Sequence, residues 1–386
     1  MKFLTPTLAI LILCSEVLVA KPSQDPSVKS SNPASTSVES QKTHDSEHDL
    51  KKEPVSNNVV KNTSTENTSS KKKEEIEKNS GDVKNKDKKK KETTADDSPW
   101  FVGTLLAIFG ENIDPGRFLV EPIIYVSRVY GVYGGNSSLI GDRNAHLYTL
   151  LVALETGITK NFDVALYLTE VYTHTRSGSS SNLADTALQL GFQLSRDKKG
   201  AWTPNIRVIT GLSFPTGKYQ NLNPTLKLED GIGVGAYRPF IGLIVQKIFY
   251  NIPNHPYSWN FNFTIFHHTK VPVHGLSIYG GEPNTRGFVL PGERFIANLA
   301  YEFKFNKNWG CGMDIHYDFQ NSSSFHNRRG GNIFNGTPSE GQFSLAPEIE
   351  YNFSSQAALS FGLWYTLFGR NNFAFLSGVF LFSYEF

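Results

Sequence analysis

The sequence predicts an all-β protein: a single-chain transmembrane antiparallel β-barrel of about 12 strands, preceded by a disordered arm and a short apolar helix or plug. Three observations predict this fold. An export signal precedes a chain without another apolar run long enough for a spanning helix. Segments of roughly ten residues, alternating apolar with polar or small side chains, repeat from Phe118 to Phe386. Short and long connections alternate between these segments.

Residues 1–20 have the pattern of a secretory signal peptide. Lys2 supplies a positive charge, Leu8 to Leu13 is apolar, and Ala20 offers a small cleavage-site residue. Cys14 raises the alternative of a lipoprotein, but the bulky Leu13 disfavours it. Cleavage after Ala20 would leave a single cysteine, so an intrachain disulfide is not expected. Export without a helical span leaves a periplasmic, an extracellular or an outer-membrane location. The barrel pattern described below favours an integral protein of a Gram-negative outer membrane.

Residues 21–98 form a predicted disordered periplasmic arm. They are rich in Ser, Lys and Glu and nearly free of aromatic residues, so they cannot bury enough apolar surface to offset ordering entropy. Lysines cluster at 71–73 and 88–91. A solvated spacer is favoured, and a tether that contacts anionic cell-wall polymer is the alternative.

Residues 99–113 connect the arm to the barrel and include an apolar run from Trp100 to Phe109. This run is compatible with a short interfacial helix, a plug inside the barrel or an additional strand. An additional strand would make the count odd, which bacterial single-chain barrels avoid, so helix or plug is favoured. The plug candidates are Trp100, Phe101, Leu105 and Phe109.

The barrel is predicted over residues 117–386. Its twelve segments are 118–130, 146–156, 162–174, 184–195, 204–214, 234–248, 257–269, 293–305, 309–319, 342–352, 357–367 and 374–386. Their alternation places one set of side chains against lipid and the other inside. A soluble β-sandwich is disfavoured because acidic groups such as Glu348 and Glu350 on the inner face suit a wet interior better than a dry core.

The inward parity of the segments selects a set of polar residues that would line the interior and set its selectivity. It includes Glu121, Tyr125, Asp185, Gln189, Gln193, Arg207, Arg238, Gln246, Asn260, Asn262, Arg294, Asn298, Glu302, Asp314, His316, Asp318, Glu348 and Glu350. Alternatively, these groups pair with one another and fill the barrel, because twelve strands fall between filled and open barrels.

The connections indicate orientation. Long stretches such as 215–233, 270–292 and 320–341 alternate with short ones, and an even strand count returns the C-terminus to the periplasm. The last outer loop, 369–373, is the brief exception. The alternating terminal residues Phe382, Tyr384 and Phe386 resemble the signal by which the barrel-assembly machinery recognises its substrates.

Several short motifs resemble the outer-membrane family named for the MetA pathway of phenol degradation. They are LVEPIIY at 119–125, GITKNFD at 157–163, GLSFPTG at 211–217 and PEIEYNFS at 347–354. The resemblance covers residues 117–386 and excludes the arm. It implies a barrel that passes small hydrophobic or aromatic compounds across the outer membrane.

Catalytic and metal-binding patterns are weak. Asp314, His316 and Asp318 share one strand face, where a hydrated network is favoured over a hydrolase site. His267 and His268 face opposite sides of a strand, and neither they nor His274 have ligands at suitable spacing. We therefore expect no enzyme activity, metal or cofactor. The basic clusters belong to a periplasmic arm, so nucleic acid is not an expected partner.

Three functional hypotheses remain. The first is a channel or transporter for passive passage of small solutes, hydrophobic or aromatic ones included. The second is a barrel whose long outer loops bind host or matrix molecules, and the third is an outer-membrane hydrolase. The expected partners are outer-membrane lipid and lipopolysaccharide, the barrel-assembly machinery and small solutes, with cell-wall polymer reached through the arm.

Overall fold

The computed structural model describes residues 100–141, 144–226, 230–329 and 337–386. The predicted signal peptide and arm lie outside these residues. The described part contains seventeen strands: β1 (Phe118–Tyr133), β2 (Leu139–Ile140), β3 (Ala145–Thr159), β4 (Phe162–Thr175), β5 (Gly178–Leu183), β6 (Thr186–Ser195), β7 (Asn205–Phe214), β8 (Arg238–Phe249), β9 (Tyr257–Phe266), β10 (Val271–His274), β11 (Arg286–Leu290), β12 (Arg294–Lys304), β13 (Trp309–Gln320), β14 (Ser324–Arg329), β15 (Glu340–Asn352), β16 (Ala357–Arg370) and β17 (Phe373–Glu385).

Fourteen of these strands form one antiparallel sheet that closes on itself. The short strands β2 and β5 are additions at one rim, and the other twelve form the barrel wall in chain order. The closing seam joins β1 to β17, with Tyr125 opposite Val379, while Tyr125 also pairs with Thr149 of β3. The predicted all-β fold of twelve barrel strands is confirmed, and most strand ends lie within a few residues of those predicted.

Exposure alternates along the wall with a period of two. On β1, Glu121 and Ile123 have no exposed surface, whereas Ile124 is 48% exposed. Large apolar side chains cover the outside on other strands too, such as Leu150 on β3 and Ile241 on β8. A sheet with apolar side chains outside and carboxylates inside matches a wall surrounded by lipid.

The outer connections contain more structure than the sequence indicated. A short antiparallel sheet of β10, β11 and β14 forms within the predicted loops 270–292 and 320–341. Strand β8 begins at Arg238 rather than at 234, because residues 230–236 are buried in a connecting segment ahead of the strand. Likewise, β9 ends at Phe266 rather than at 269.

A short helix or a plug was predicted for residues 99–113, and residues 100–113 have no helical structure, so the helix alternative is wrong. Every residue from Phe101 to Ile113 is buried, and the chain then continues directly into β1. A single 3₁₀ turn, Pro224–Leu226, is the helical element among the described residues. In that part of the chain, no helix is long and apolar enough to cross a membrane.

Candidate functional site

An extended segment that runs through the barrel interior, residues 100–113, is the central feature of the candidate site. We call it the inner segment. It starts near the C-terminal end of β15, where the Asn352 Nδ2 donates a hydrogen bond to the Trp100 carbonyl at 3.5 Å. It ends at β3, four strands around the closed sheet from β15, where Pro115 bridges to Gly157. A Cβ at Gly157 would collide with the carbonyl oxygens of Ile113 and Asp114, so the close approach there requires glycine.

Inward-facing side chains of the wall hold the inner segment by its backbone. The Leu106 N–H donates to Asp314 Oδ2 at 3.1 Å, and the Ile108 N–H donates to Asn262 Oδ1 at 2.6 Å. Asn260 Nδ2 in turn donates to the Ile108 carbonyl at 2.7 Å. Backbone polar groups buried in a barrel need partners, and here strand side chains replace the ladder of a sheet.

Two glutamines continue this pattern toward the end of the inner segment. The Gly110 N–H donates to Gln246 Oε1 at 3.2 Å. Gln193 donates from Nε2 to the Gly110 carbonyl and accepts from the Asn112 N–H, both at 2.9 Å. We give the name polar girdle to five of the side chains that bind this backbone between Leu106 and Asn112: Gln193, Gln246, Asn260, Asn262 and Asp314.

Apolar side chains of the inner segment fill the interior. Leu105, Leu106 and Ile108 belong to one large buried cluster with wall residues. Leu105 approaches Gly362 of β16 so closely that a Cβ at Gly362 would clash with it. The four predicted plug candidates therefore lie on this segment: Phe101, Leu105 and Phe109 are buried, and Trp100 is half-buried.

A buried triad of one arginine and two carboxylates contacts the inner segment at Phe109. Arg207 Nη2 lies 2.8 Å from Glu155 Oε1 and 2.7 Å from Asp163 Oδ1. Arg207 Nη1 also donates to the Phe109 carbonyl at 3.3 Å. Sequence reasoning found Arg207 and missed both acids. The parity of β3 would have placed Glu155 inside, whereas the sequence of segment 162–174 does not show which of its two faces is inward, so it did not select Asp163.

A second buried group of charges lies near the start of the inner segment. Lys304 Nζ is 2.7 Å from Glu302 Oε1 and also pairs with Glu350 Oε1. The same ammonium lies 5.3 Å from the ring centroid of Phe101. Lys304 was missed because it ends its strand next to a turn, although it shares the inward parity of Glu302.

The outer end of the barrel is covered by the loop between β7 and β8. Asp185 stands between β5 and β6 and accepts hydrogen bonds from the backbone N–H groups of Gly217 at 2.8 Å and Val234 at 3.0 Å. Arg238 Nη2 lies 3.3 Å from the same carboxylate and donates to Ser213 Oγ at 2.7 Å. One carboxylate thus connects the two described stretches of this loop, residues 215–226 and 230–236, which we call the outer lid.

The outer lid reaches the interior and supports the small outer sheet. Ile232 packs in the same buried cluster as Leu105 and Ile108 of the inner segment. Val234 and Ala236 pack against Val271, Val273 and Val289 of the outer sheet. The predicted loop 215–233 is therefore partly buried, so only part of it is exposed as the hypothesis of loops that bind host or matrix molecules requires.

The residues singled out for a hydrolase have structural partners. Arg294 binds Asp318 through two hydrogen bonds, of 2.9 and 2.6 Å. Asp314 accepts from Thr104 Oγ1 at 2.7 Å, and His316 packs edge-on against Trp364 at 6.1 Å. Among the described residues, no group of three or more His, Cys, Asp or Glu side chains is arranged to hold a metal ion.

The remaining predicted interior residues are buried as well. Glu121 and Tyr125 face inward from β1, Asn298 donates to Asp314 Oδ1 at 2.9 Å, and Glu348 is 7% exposed. At the other extreme, the terminal residues Phe382, Tyr384 and Phe386 project outward, each with 39% exposure or more.

The interior is more apolar than the sequence indicated. Wall residues on the inward parity include a large apolar set: Ile123, Leu151, Val171, Ile209, Phe240, Ile244, Phe266, Ile296, Trp364, Phe375, Val379 and Leu381. Sequence reasoning treated apolar side chains as lipid-facing and polar ones as inward, so it missed this set. Strict strand parity, applied without regard to polarity, would have found it.

No protein-family model and no curated protein matches this sequence. Among solved structures, the chain is similar to an outer membrane channel from Pseudomonas putida F1, with a TM-score of 0.55, 10% identity, and coverage of 72% of this chain and 97% of that one. Weaker likenesses are the β domain of the Bordetella autotransporter Brka (TM-score 0.40, 12% identity, coverage 71% and 100%) and the CymD monoaromatic hydrocarbon channel (TM-score 0.33, 9% identity, coverage 71% and 89%).

The first of these similarities establishes a fold. Together with the closed sheet and its apolar exterior, it places the chain in the class of outer-membrane β-barrels. The resemblance to the family named for the MetA pathway stays a prediction.

Proposed function

We propose that this protein is an outer-membrane channel for small solutes, with passage controlled by displacement of the inner segment. The observation that carries the proposal is that the interior is occupied by a separate stretch of chain bound by side chains. The N–H groups of Leu106, Ile108 and Gly110 bind side chains of the polar girdle and not the backbone of a wall strand. Displacing the segment would therefore leave the backbone hydrogen bonds between wall strands intact. A barrel filled for stability alone could be packed by wall side chains without such a segment.

We further propose that the solutes include hydrophobic or aromatic compounds. With the inner segment displaced, the polar girdle and the inward apolar set of the wall would face the path together. Such mixed surfaces orient a small molecule through a few polar groups and bury its apolar part. The cationic side chains Arg207, Arg294 and Lys304 each pair with a carboxylate, so they offer no continuous track of free positive charge for an anionic solute.

Planar-bilayer recording of the purified protein tests the channel. Deleting residues 100–113 should raise conductance, because the interior then loses its occupant. Unchanged conductance in a folded deletion variant would contradict control by the inner segment. Absence of conductance from both proteins would contradict the channel itself.

A reversible cross-link gives a sharper test. A Cβ at Gly312 would lie 2.9 Å from Thr104 Cγ2, so cysteines at these two positions are close enough for a disulfide. Thr104→Cys with Gly312→Cys, in a Cys311→Ser background, should conduct less when oxidised and recover on reduction. The matched control is Gly312→Cys alone in the same background, which introduces the same Cβ beside the Glu348 carboxylate and should not respond to oxidant.

Solute class is measured separately by liposome swelling with aromatic and sugar solutes. Faster entry of uncharged aromatic solutes than of sugars of similar size would support the proposed preference. Equal rates would contradict the preference while leaving the channel in place.

A further inference from the structure

A row of polar side chains lies on the outward face of the barrel near its outer rim. Arg128 of β1 pairs with His146 of β3, His146 pairs with His174 of β4, and His174 pairs with Ser179 of β5. Directly opposed residues on neighbouring strands have Cβ atoms roughly 4.5–5.5 Å apart. These four side chains therefore form one continuous strip across four strands, which we call the rim strip.

The rim strip faces away from the interior. Arg128, His174 and Ser179 are exposed and His146 is half-buried, whereas their sequence neighbours Val129, Ala145 and Thr173 are buried. His174 Nδ1 is 2.8 Å from Ser179 Oγ, which fixes the orientation of the imidazole ring. The strip is thus an ordered outward surface.

Aromatic and aliphatic side chains place the rim strip at the depth of lipid headgroups. The next row toward the membrane centre contains Tyr148 opposite Tyr172, with ring centroids 6.0 Å apart. Beyond it, Ile124 and Leu150 are opposite each other and more than 40% exposed, and the exposed Glu170 continues this row on β4. The following row has Leu168, 41% exposed, opposite Val152. Tyrosines mark the interface and exposed aliphatic residues mark hydrocarbon, so the strip lies on the headgroup side of the tyrosine row.

The chemistry of the rim strip suits phosphate. A guanidinium binds phosphate oxygens with a planar fork, and imidazole N–H and hydroxyl groups add donors beside it. Arg176, in the turn just above His174, is exposed as well. The nearest outward carboxylate on these strands, Glu170, accepts a hydrogen bond from Ser181 at 2.8 Å and lies four residues from His174, toward the membrane.

We propose that the rim strip binds the phosphate groups of the phosphorylated glycolipid in the outer leaflet. The leaflet follows from topology. The even strand count places the barrel end that contains Phe118 and Phe386 in the periplasm, and the strip is at the opposite end, in the outer leaflet. The occupant follows from charge complementarity, since the strip offers an arginine and three hydrogen-bonding side chains at headgroup depth. This inference is independent of passage through the interior.

The experiment measures binding of bisphosphorylated lipid A to the full-length protein by native mass spectrometry in detergent. The triple variant Arg128→Gln, His146→Gln and His174→Gln should bind roughly tenfold less tightly or worse, because charge-assisted hydrogen bonds are lost. The matched control is His267→Gln, an exposed histidine elsewhere on the rim whose Nδ1 binds Glu293 at 2.6 Å. It should bind as the unmodified protein does.

Two further comparisons use the unmodified protein, so they hold even if the triple variant fails to fold. Lipid A stripped of its phosphates should bind more weakly than the bisphosphorylated form, and phosphatidylglycerol should compete poorly. Equal binding of stripped lipid A would overturn the phosphate site. Full competition by phosphatidylglycerol would overturn the assignment to the glycolipid, and undiminished binding to a folded triple variant would overturn the rim strip.

Discussion

Replacing Asn262 with leucine should release the inner segment. Asn262 Oδ1 accepts from the Ile108 N–H at 2.6 Å, and Ile108 is only 2% exposed. Leucine has a similar volume but no acceptor, so the N–H would be buried without that partner whenever the segment is inside. Leaving a buried donor unsatisfied costs about 1–3 kcal/mol.

That cost applies to the occupied state and not to the displaced one. With a factor of ten for each 1.4 kcal/mol, the ratio of displaced to occupied barrels should rise roughly 5- to 150-fold. Open probability in single-channel recording should rise by the same factor until it saturates. Labelling of Ala107→Cys by a charged maleimide, in a Cys311→Ser background, should accelerate in parallel because Ala107 is fully buried when the segment is inside.

The matched control is Thr264→Val, which lies on the same strand and inward face, two residues further toward the outer rim. It should leave both readouts unchanged. If Asn262→Leu folds and shows neither more openings nor faster labelling, side-chain hydrogen bonds do not hold the inner segment. An equal response from Thr264→Val would show that the effect is general loosening of the barrel.

Three further predictions concern the lid, the wall and assembly. Asp185→Asn should loosen the outer lid, because the ion pair with Arg238 is lost. Conductance and proteolysis after Lys218 should both increase, and unchanged protease sensitivity would contradict the lid contact. Arg207→Met should destabilise the folded barrel by about 3–5 kcal/mol in urea titrations, since two buried carboxylates lose their partner; a loss below about 1 kcal/mol would be inconsistent with a buried triad. Phe386→Ala should reduce the amount of assembled barrel in the outer membrane without changing the conductance of assembled molecules, and normal assembly would argue against a terminal recognition signal.

Much of the wall could be predicted because its signal is local. A strand between lipid and an interior alternates with a period of two, and turn residues separate one strand from the next. The twelve strands, their approximate ends and the inward parity of residues such as Glu121 and Arg207 follow from that rule. Polarity was the weaker guide, because inward positions such as Ile244 and Leu381 are apolar in this barrel.

What the sequence by itself determined is therefore the alternation, and with it the closed sheet and the two faces of the wall. Tertiary structure decided what occupies the interior: the path of residues 100–113, the inward turn of residues 230–236 and the partners of the buried charges. Those contacts join residues far apart in the chain, such as Leu106 and Asp314. Periodicity reports which way a side chain points, whereas its partner depends on how the closed barrel brings distant strands and the inner segment together.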